Sequence, residues 1–374
     1  MGIVGATTAF AAGLLLLRMP GPMAEPVSDR WHKKSTPLCG GFALLAGVLM
    51  ALAIGQTGEQ ESPSIAFVAL GATAAFTIGL LDDRGLVGPT EKFAGQILVA
   101  AGTAAVLHPH WLPAPLGVAI GTFVLVAAMN SFNFLDNIDG LAAGTAGIAL
   151  VAFALMGVFS ESGPLRLIGF AGAASCAGFL PLNYRPSRPA RLFMGDAGSH
   201  MLGLLVGASA LLAARSEADG GAAALIAPLL ILALPIADTA LVIVVRLTER
   251  RPIWQGGTDH ISHRLVYVGL GERKAVATLF GLAAACAGVG LVVAKEETPL
   301  VTAGGLGIVF ALLIALASRL ALITEQRVVL DAGTEGVGDV SRADARGLAP
   351  AADLDVALVE IASERNESGS RART

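Results

Sequence analysis

The sequence predicts an all-α polytopic integral membrane protein with about 10 or 11 transmembrane helices. Of its 374 residues, 54% are apolar and only 14% are charged, whereas an average soluble domain carries about 25% charged residues. Apolar runs close to the ~20 residues that cross a bilayer recur along almost the whole chain. Basic residues are concentrated in alternate loops, as expected for a multi-pass protein.

Eleven apolar segments are predicted to span the membrane, and alanine and glycine are frequent in them, which suits close helix packing in lipid. They cover roughly residues 2–18, 39–57, 63–81, 93–108, 114–131, 140–159, 164–182, 198–214, 222–245, 275–294 and 298–322. The first is interpreted as a span rather than a signal peptide because it lacks a basic n-region. The three cysteines (Cys39, Cys176 and Cys286) lie in or beside these runs without metal-ligand spacing, which indicates a packing role.

The chain turns polar after the last apolar run. We therefore expect residues 1–324 to form the membrane domain and residues 325–374 to form a polar cytoplasmic tail. Within this tail, Asp353–Glu364 is predicted to be a short amphipathic helix, and Arg365–Thr374 is predicted to be disordered.

The basic residues also predict the orientation of the chain. One set of loops holds fifteen of them, and the alternate set holds only Arg166, Arg215 and Lys295. The richer set is expected in the cytoplasm, with the N-terminus outside and the C-terminal tail inside. Every carboxylate-rich or histidine-bearing motif falls in this set, so the active site is predicted on the cytoplasmic face.

The first two cytoplasmic loops each carry a charged motif. Residues 29–34, read as DRWHKK, suit anionic headgroups or a phosphate ligand, or are ordinary positive-inside residues. In the second loop Asp82 and Asp83 are adjacent. Such carboxylates repel one another unless a cation neutralises them or one acts as a base with a raised pKa. Lys92, at the start of the next span, is a candidate phosphate ligand.

The third loop, Asn130–Gly144, reads NSFNFLDNIDGLAAG and joins two apolar runs. Burying an ionised carboxylate in hydrocarbon costs several kcal/mol, so acids at this place are usually functional. Asn133, Asp136 and Asp139 are spaced i, i+3, i+6 and would share one face of a helix. Their oxygens suit Mg²⁺, and equally a sugar or a base. The alternative is a polar loop at the membrane surface.

The fourth loop contains three arginines (Arg185, Arg188 and Arg191) and then FMGDAGS over residues 193–199. An acid flanked by glycine and serine at a helix start is typical of a phosphate- and metal-binding turn, because free backbone N–H groups point at the ligand. Asp196 is that acid, and Phe193 offers a flat face for a base or belongs to the core.

The fifth loop, Arg246–Lys274, contains Asp259, His260, His263 and Arg264. The two histidines are spaced i, i+3, and with Asp259 they would bind zinc only if further ligands were near. Contacts to phosphate fit this motif better. In the preceding span, Asp238 is an intramembrane carboxylate that is either functional or paired with Thr239 or with a neighbouring helix.

Six motifs together resemble the polyprenyl-phosphate N-acetylhexosamine-1-phosphate transferase superfamily, glycosyltransferase family 4. In chain order they are DRWHKKSTPLCGG, LLDDRGLVGPTEKFAGQ, NSFNFLDNIDGLAAG, FLPLNYRPSRPARLFMGDAGS, PIADT and GGTDHISHRL, which cover about residues 1–320. The last motif is most similar to the bacterial undecaprenyl- or decaprenyl-phosphate GlcNAc-1-phosphate transferase branch. Ser262 replaces a histidine common there, and the segment between Asn183 and Phe193 is a few residues longer than the resemblance leads us to expect.

The resemblance implies roles for the residues at matching positions. The catalytic set is Asp82, Asp83, Asp136, Asp139, His260 and His263. The metal set is Asp196, with Asn133 as a second Mg²⁺ ligand, and Mn²⁺ is a possible substitute. The substrate-binding set is Lys92, Asn130, Asn133, Asn183, Phe193 and Arg264. Within it, Phe193 would stack on uracil, Asn183 would contact uridine, and Lys92 and Arg264 would lie near the phosphates.

The implied reaction moves a HexNAc-1-phosphate, with GlcNAc the first choice, from a UDP-sugar to polyprenyl phosphate and releases UMP. It would be the first membrane step of a cell-envelope glycan. The resemblance also implies a bacterial cytoplasmic membrane location, the lipid bilayer as a partner and a homodimer, with no nucleic-acid partner. One alternative is a sister transferase with another UDP-sugar, including UDP-MurNAc-pentapeptide. The other is a polytopic transporter, although its acids would lie near the bilayer midplane.

Overall fold

The computed structural model describes residues 1–18, 23–24, 35–56, 62–185, 188–216, 222–296 and 298–312. Within these ranges the regular secondary structure is helical apart from one antiparallel pair of two-residue strands, β1 (Met23–Ala24) and β2 (Thr36–Pro37). Met23 lies opposite Pro37, and Ala24 lies opposite Thr36. The basic patch at 29–34 and the tail at 325–374, with its expected short helix, lie outside the described residues.

Thirteen helices follow one another in the described ranges. The first six are α1 (Gly2–Leu16), α2 (Gly40–Gln56), α3 (Pro63–Asp83), α4 (Pro89–Leu107), α5 (Ala114–Leu135) and α6 (Leu141–Phe159). The next six are α7 (Gly163–Asn183), α8 (Gly195–Ser216), α9 (Ala222–Ile231), α10 (Ala233–Thr248), α11 (Ile261–Tyr267) and α12 (Glu272–Glu296). The last is α13 (Pro299–Leu312). All but the short α11 coincide with predicted spans.

Length and apolar composition identify the helices that can cross a membrane. Six qualify on their own, namely α3, α5, α6, α7, α8 and α12. The pair α9 and α10 qualifies only as a unit, and α1, α2 and α13 are shorter apolar helices. The predicted all-α polytopic membrane fold is therefore confirmed, while the total of 10 or 11 spans stays a prediction.

The ninth predicted span differs from the structure. It was expected as one helix over residues 222–245, but the chain breaks between α9 and α10, whose axes differ in direction by 71°. Proline in a helix interior removes a backbone hydrogen bond and favours a kink. Pro228 lies inside α9 and Pro235 lies in the first turn of α10, on either side of the break.

Helix α8 forms the centre of the bundle. It contacts every helix from α2 to α7 and also α9, and its most apolar 18 residues are all buried. A helix that is apolar all round is stable only inside such a shell or in lipid. Helix α3 approaches it closely at Gly79, where a Cβ atom would lie 2.3 Å from the Asp196 carbonyl oxygen. Small residues thus allow the helices beside Asp196 to pack tightly.

The polar motifs gather at one end of this bundle. They occupy the last turns of α3, α5 and α7, the first turns of α4 and α8, and the segment leading into α11. Side-chain hydrogen bonds join these pieces. The opposite end has contacts of another kind, in which Trp111 Nε1 and Arg215 Nη1 donate to the backbone carbonyls of Ala214 and Val106. Motifs distant in the chain therefore form one candidate site.

The three cysteines have the packing role expected of them. Cys39, Cys176 and Cys286 are all buried and all carry free thiols.

Candidate active site

Three acids and one lysine, here called the acid–lysine cluster, connect α3, α4 and α8. They are Asp82, Asp83, Lys92 and Asp196. Lys92 Nζ lies 2.5 Å from Asp82 Oδ2 and 2.5 Å from Asp196 Oδ2. The side chains of Lys92, Asp82 and Asp196 are 16%, 26% and 28% exposed. The cluster is thus a half-buried place where a cation is already held between two carboxylates.

Asp83 has a different role from its neighbour Asp82. Its two carboxylate oxygens accept the backbone N–H groups of Asp196, at 2.8 Å, and Ala197, at 3.1 Å. These N–H groups belong to the first turn of α8, which has no intrahelical partners for them. Gly195 precedes them with a positive φ of 67°, and a Cβ there would lie 2.6 Å from Asp83 Oδ2. Asp83 therefore fixes the start of α8.

This contact corrects one expectation from the sequence. The N–H groups around Asp196 were expected to be free to bind phosphate. Those of Asp196 and Ala197 instead donate to Asp83, and that of Gly198 donates to the Met194 carbonyl at 3.2 Å. A negative side chain at a helix N-terminus satisfies the same donors that a bound phosphate would use.

Asn133 lies beside Asp196 because α5 continues four residues beyond its predicted end. Its Nδ2 donates to Ser199 Oγ at 3.1 Å, and that hydroxyl donates to the Asp196 carbonyl at 3.2 Å. Since the single hydroxyl hydrogen of Ser199 is used on Asp196, Asn133 must donate to Ser199 rather than accept. The carbonyl oxygen of Asn133 is therefore the end that can bind a cation.

The expected common face of Asn133, Asp136 and Asp139 is wrong, because α5 ends at Leu135. Asp136 is the C-cap of α5, and Asp139 lies in the turn that leads into α6. Asp139 Oδ2 accepts the backbone N–H of Ala190 at 3.1 Å and lies 3.5 Å from Arg273 Nη2. Asp139 is thus held by the Ala190 backbone and by Arg273.

Three of the predicted substrate-binding residues make contacts within the protein. Asn183 is buried, accepts the Gly140 N–H at 2.7 Å and donates to the Leu192 carbonyl at 3.0 Å. Asn130 Nδ2 donates to Gln96 Oε1 at 2.8 Å. The half-buried Phe193 is held through its backbone, which donates to Pro37 and accepts from Gly40. Asn183 therefore connects the turn at Gly140, before α6, with the segment at Leu192, before α8. This structural role holds whether or not Asn183 also contacts a substrate.

The second part of the site is residues 259–264, here called the histidine segment. His260 is the N-cap of α11, and its ring centroid lies 5.5 Å from that of His263. Ser262 Oγ donates to Asn137 Oδ1 at 2.6 Å, which fastens α11 to the turn after α5. Arg264 Nε donates to the Asp259 carbonyl at 3.2 Å. The two imidazoles are therefore neighbours, as their spacing predicted.

Asp259 faces arginines and not the imidazoles. Its carboxylate accepts from Arg246 at 3.2 Å and from Arg251 at 2.8 Å. Burial alone would raise the pKa of Asp259, but the hydrogen bonds from Arg251 and Arg246 outweigh it and hold the pKa below its usual value. A zinc site with both histidines is not supported. Among the described residues, no group of three His, Cys, Asp or Glu side chains is arranged to hold a metal ion.

Arg273 is a site residue that the sequence did not single out. Its guanidinium lies 4.9 Å from the centroid of the Tyr184 ring and donates to the Arg188 carbonyl at 2.9 Å. Together with its contact to Asp139, this joins the start of α12 to Arg188 and to the turn before α6. Nothing in the residues next to Arg273 distinguishes it from the other arginines near the site, so the sequence alone does not predict this contact.

Comparison with known proteins agrees with this architecture. Residues 65–214 match the family described as glycosyl transferase family 4. The chain is 33% identical to a decaprenyl-phosphate N-acetylglucosaminephosphotransferase of Mycolicibacterium smegmatis over 325 residues, covering 75% of this chain and 79% of that protein. It is 28% identical to a probable undecaprenyl-phosphate N-acetylglucosaminyl 1-phosphate transferase of Bacillus subtilis, covering 70% and 74%.

A third relative is the undecaprenyl-phosphate alpha-N-acetylglucosaminyl 1-phosphate transferase of Yersinia pestis. It is 29% identical over 290 residues, covering 73% of this chain and 77% of that protein. The matched family segment runs from α3 to α8 and includes the whole acid–lysine cluster. With most of both chains aligned and the cluster inside the match, this protein belongs to glycosyl transferase family 4.

Proposed function

We propose that this protein transfers GlcNAc-1-phosphate from UDP-GlcNAc to a polyprenyl phosphate at the cytoplasmic face of a bacterial membrane. UMP is released and polyprenyl-diphospho-GlcNAc is formed. The observation that carries the proposal is the acid–lysine cluster, which lies at one end of a helical membrane bundle in a chain of this family. The names of three relatives support the donor sugar and the lipid acceptor.

The oxygens around Lys92 fit a divalent cation. Asp82 and Asp196 already place two carboxylate oxygens around one positive charge, and the Asn133 amide is linked through Ser199 to the backbone carbonyl of Asp196. Mg²⁺ commonly takes one or two protein carboxylates and completes its shell with phosphate oxygens and water. Asp82, Asp196 and Asn133 would hold it, and bound there it would neutralise charge on the diphosphate. Mn²⁺ has a similar preference for oxygen ligands.

The reaction joins two anions, so the task of the protein is mainly electrostatic. An oxygen of the lipid phosphate forms a bond to the β-phosphorus of the UDP-sugar, and the bond from that phosphorus to the bridging oxygen breaks. The electron pair leaves with UMP. Lys92 provides a cation on a flexible side chain, and Arg264 and the two histidines provide further donors. Positioning and charge neutralisation of this kind dominate phosphoryl transfer.

Direct attack by the lipid phosphate suits the geometry better than a covalent aspartyl intermediate. A phosphate monoester has its second pKa near 6, so at neutral pH much of the acceptor is already a dianion. Asp83 would have to release two backbone N–H groups of α8 before it could attack a phosphorus atom. Asp82 would orient the acceptor indirectly, because it holds the Lys92 ammonium group that can contact the acceptor phosphate.

The proposal is tested by transfer of radiolabel from UDP-[¹⁴C]GlcNAc into butanol-extractable lipid. Membranes containing this protein, with added polyprenyl phosphate, should form labelled lipid in Mg²⁺ or Mn²⁺ and none in EDTA. Unlabelled UMP should drive the label back into UDP-GlcNAc. If membranes with correctly inserted protein formed no labelled lipid, the proposal would be refuted.

A donor panel in the same assay decides the sugar. Ser262 takes the place of a histidine common in the GlcNAc branch, and its hydroxyl is bound to Asn137. This keeps a sister transferase as the second candidate. Transfer from UDP-MurNAc-pentapeptide or another UDP-sugar at a higher rate than from UDP-GlcNAc would establish it.

The orientation in the membrane follows from the same proposal, and the family resemblance adds a homodimer to it. A cytosolic UDP-sugar requires the site to face the cytoplasm, with the N-terminus outside. Single cysteines introduced at Gly2 and in the histidine segment, and labelled from either side of the membrane, would test this orientation. The homodimer is tested by light scattering of the detergent-purified protein.

A further inference from the structure

Asp238 is a buried acid that the proposed mechanism does not yet use. It lies in the first half of α10, and its side chain is 2% exposed. Its Oδ2 lies 2.8 Å from His260 Nδ1, and its Oδ1 accepts the Ile261 backbone N–H at 2.8 Å. Burying a carboxylate is costly unless its oxygens are paired. Both oxygens of Asp238 are paired with the start of the histidine segment.

The contact determines which nitrogen of His260 carries hydrogen. An ionised carboxylate can only accept, so Nδ1 of His260 must be the donor. Nε2, on the far side of the ring, is then the nitrogen that can meet a ligand. The ring itself is held by its neighbours, with the centroids of Phe134 at 6.1 Å and His263 at 5.5 Å.

Helix α10 holds the same segment at a second point. Arg246, two turns after Asp238, is 2% exposed and donates to Asp259 Oδ2 at 3.2 Å and to the Ile253 carbonyl. Its guanidinium also lies 5.3 Å from the centroid of the Phe134 ring. The segment is therefore fastened on both sides of the peptide that carries His260.

Thr239, the obvious alternative partner for Asp238, is directed elsewhere. Its hydroxyl donates to Ser131 Oγ on α5 at 2.8 Å. The intramembrane acid that would have suited a transporter thus has a local explanation, because its charge is committed to His260 and Ile261 and not to a transported ion.

We propose that Asp238 is a positioning residue for the transfer reaction. It fixes His260 with Nδ1–H towards α10 and Nε2 towards the substrate phosphates, and it balances the charge of the imidazolium when Nε2 donates to a phosphate oxygen. This inference rests on the proposed function. An acid that orients a histidine through its second nitrogen is a recurrent device in enzymes, and its loss commonly costs about 10–100-fold in activity.

The test is a double-mutant cycle on His260 and Asp238 with the lipid-transfer assay. In D238N the amide can still accept the Ile261 N–H, but it has no charge to balance an imidazolium. Its NH₂ group faces Nδ1, which favours the neutral ring with its hydrogen on Nε2 and disfavours the doubly protonated ring. We expect kcat to fall about 10–100-fold and KM for UDP-GlcNAc to change less than threefold. H260Q should also be slow, and D238N/H260Q should be no slower than H260Q, because Asp238 acts through His260.

A structural role would give a different result. If Asp238 only stabilised α10, the fold-reductions in kcat from D238N and from H260Q would multiply in the double variant. A double variant slower than H260Q by the full D238N factor would overturn the proposal. The matched control is T239V, the neighbouring residue on the same helix, whose hydroxyl contacts Ser131 and not the histidine segment. It should leave both kcat and KM unchanged.

A second measurement needs no activity, and its wild-type reading needs no folded Asp238 variant. In protein labelled with ¹⁵N-histidine, the His260 signals are assigned by their loss in H260Q. The wild-type ring should carry hydrogen on Nδ1, and in D238N the neutral ring should carry it on Nε2. A wild-type His260 protonated on Nε2 alone would overturn the proposal. If that signature is present but wild-type membranes transfer no sugar phosphate, the proposed function fails and the Asp238–His260 contact stands.

Discussion

The ion pairs in the two halves of the candidate site, the acid–lysine cluster and the histidine segment, differ in how deeply they are buried. In the acid–lysine cluster, a flexible lysine lies between two acids, and the three side chains are 16–28% exposed. In the histidine segment, the central contact joins Asp238 and His260, which are 2% and 5% exposed, and a second contact joins the buried Arg246 to Asp259. One half is partly exposed to solvent and the other is enclosed by α5, α10 and α11.

This difference indicates a division of work. Partly exposed ion pairs are less costly to break than fully buried ones, so their partners can be exchanged when a ligand arrives. Buried ion pairs are costly to break, because one unpaired charge would stay in the interior. We therefore expect changes in the acid–lysine cluster to affect activity far more than stability. Changes in the histidine segment should affect both.

The strongest test of this division is D196N. Loss of the Asp196 charge should reduce lipid transfer by about 10³-fold or more, since this carboxylate would hold the cation that neutralises the diphosphate. The midpoint of thermal unfolding should stay within a few degrees of wild type. The matched control is E91Q, an exposed acid in the first turn of α4, which should keep full activity. Normal activity of D196N would remove Asp196 from the metal site.

The second test is K92M. Transfer should fall about 10²-fold, because a cation that meets the phosphates is lost. Binding of Mg²⁺ without UDP-GlcNAc should nevertheless become about 10-fold tighter, since the ammonium group no longer competes for Asp82 and Asp196. Thermal shift on Mg²⁺ titration measures this. K274M, which changes an exposed lysine at the start of α12, should leave both properties unchanged, and weaker Mg²⁺ binding in K92M would contradict the competition.

The third test concerns the histidine segment. H263A should slow transfer about 10–100-fold while the protein still inserts into the membrane. Its thermal shift on addition of Mg²⁺ should match wild type, because His263 lies outside the acid–lysine cluster. Wild-type rates in H263A would assign this buried imidazole to packing alone.

The smallest expected effect is on stability, in D259N. The folded-state pKa of Asp259 is lowered, so its contribution is present above the unfolded pKa of about 3.9 and is lost as pH falls through the folded value. At neutral pH the variant should lose about 1–3 kcal/mol of the free energy of unfolding. The difference from wild type should shrink below about pH 4. A difference that does not change with pH would indicate that packing, and not charge, holds the segment.

Local features of the sequence were sufficient for the class and the family. Apolar runs of about 20 residues define membrane helices whatever their neighbours, because each such helix satisfies its own backbone hydrogen bonds. The six motifs were equally readable, since each is a short stretch of chain. The site residues Asp82, Lys92 and Asp196 were identified in this way, and the structure brings those three together.

The errors arose where a contact depends on a helix boundary. Asn133, Asp136 and Asp139 have helical spacing, but α5 ends between the first and the second. The N–H groups at the start of α8 looked free because Asp83, which binds them, lies 113 positions earlier in the chain. The break between α9 and α10 likewise interrupts a segment that is apolar throughout.

The sequence by itself thus determined that this protein is a helical membrane protein of glycosyl transferase family 4, and which loops carry its chemistry. Only the tertiary structure decided how the charges are paired. It assigned Asp82 to Lys92, Asp83 to the first turn of α8 and Asp238 to His260. The reason is physical. Hydrophobicity is a property of each segment, whereas a hydrogen bond requires two atoms within about 3 Å, and only helix packing sets that distance.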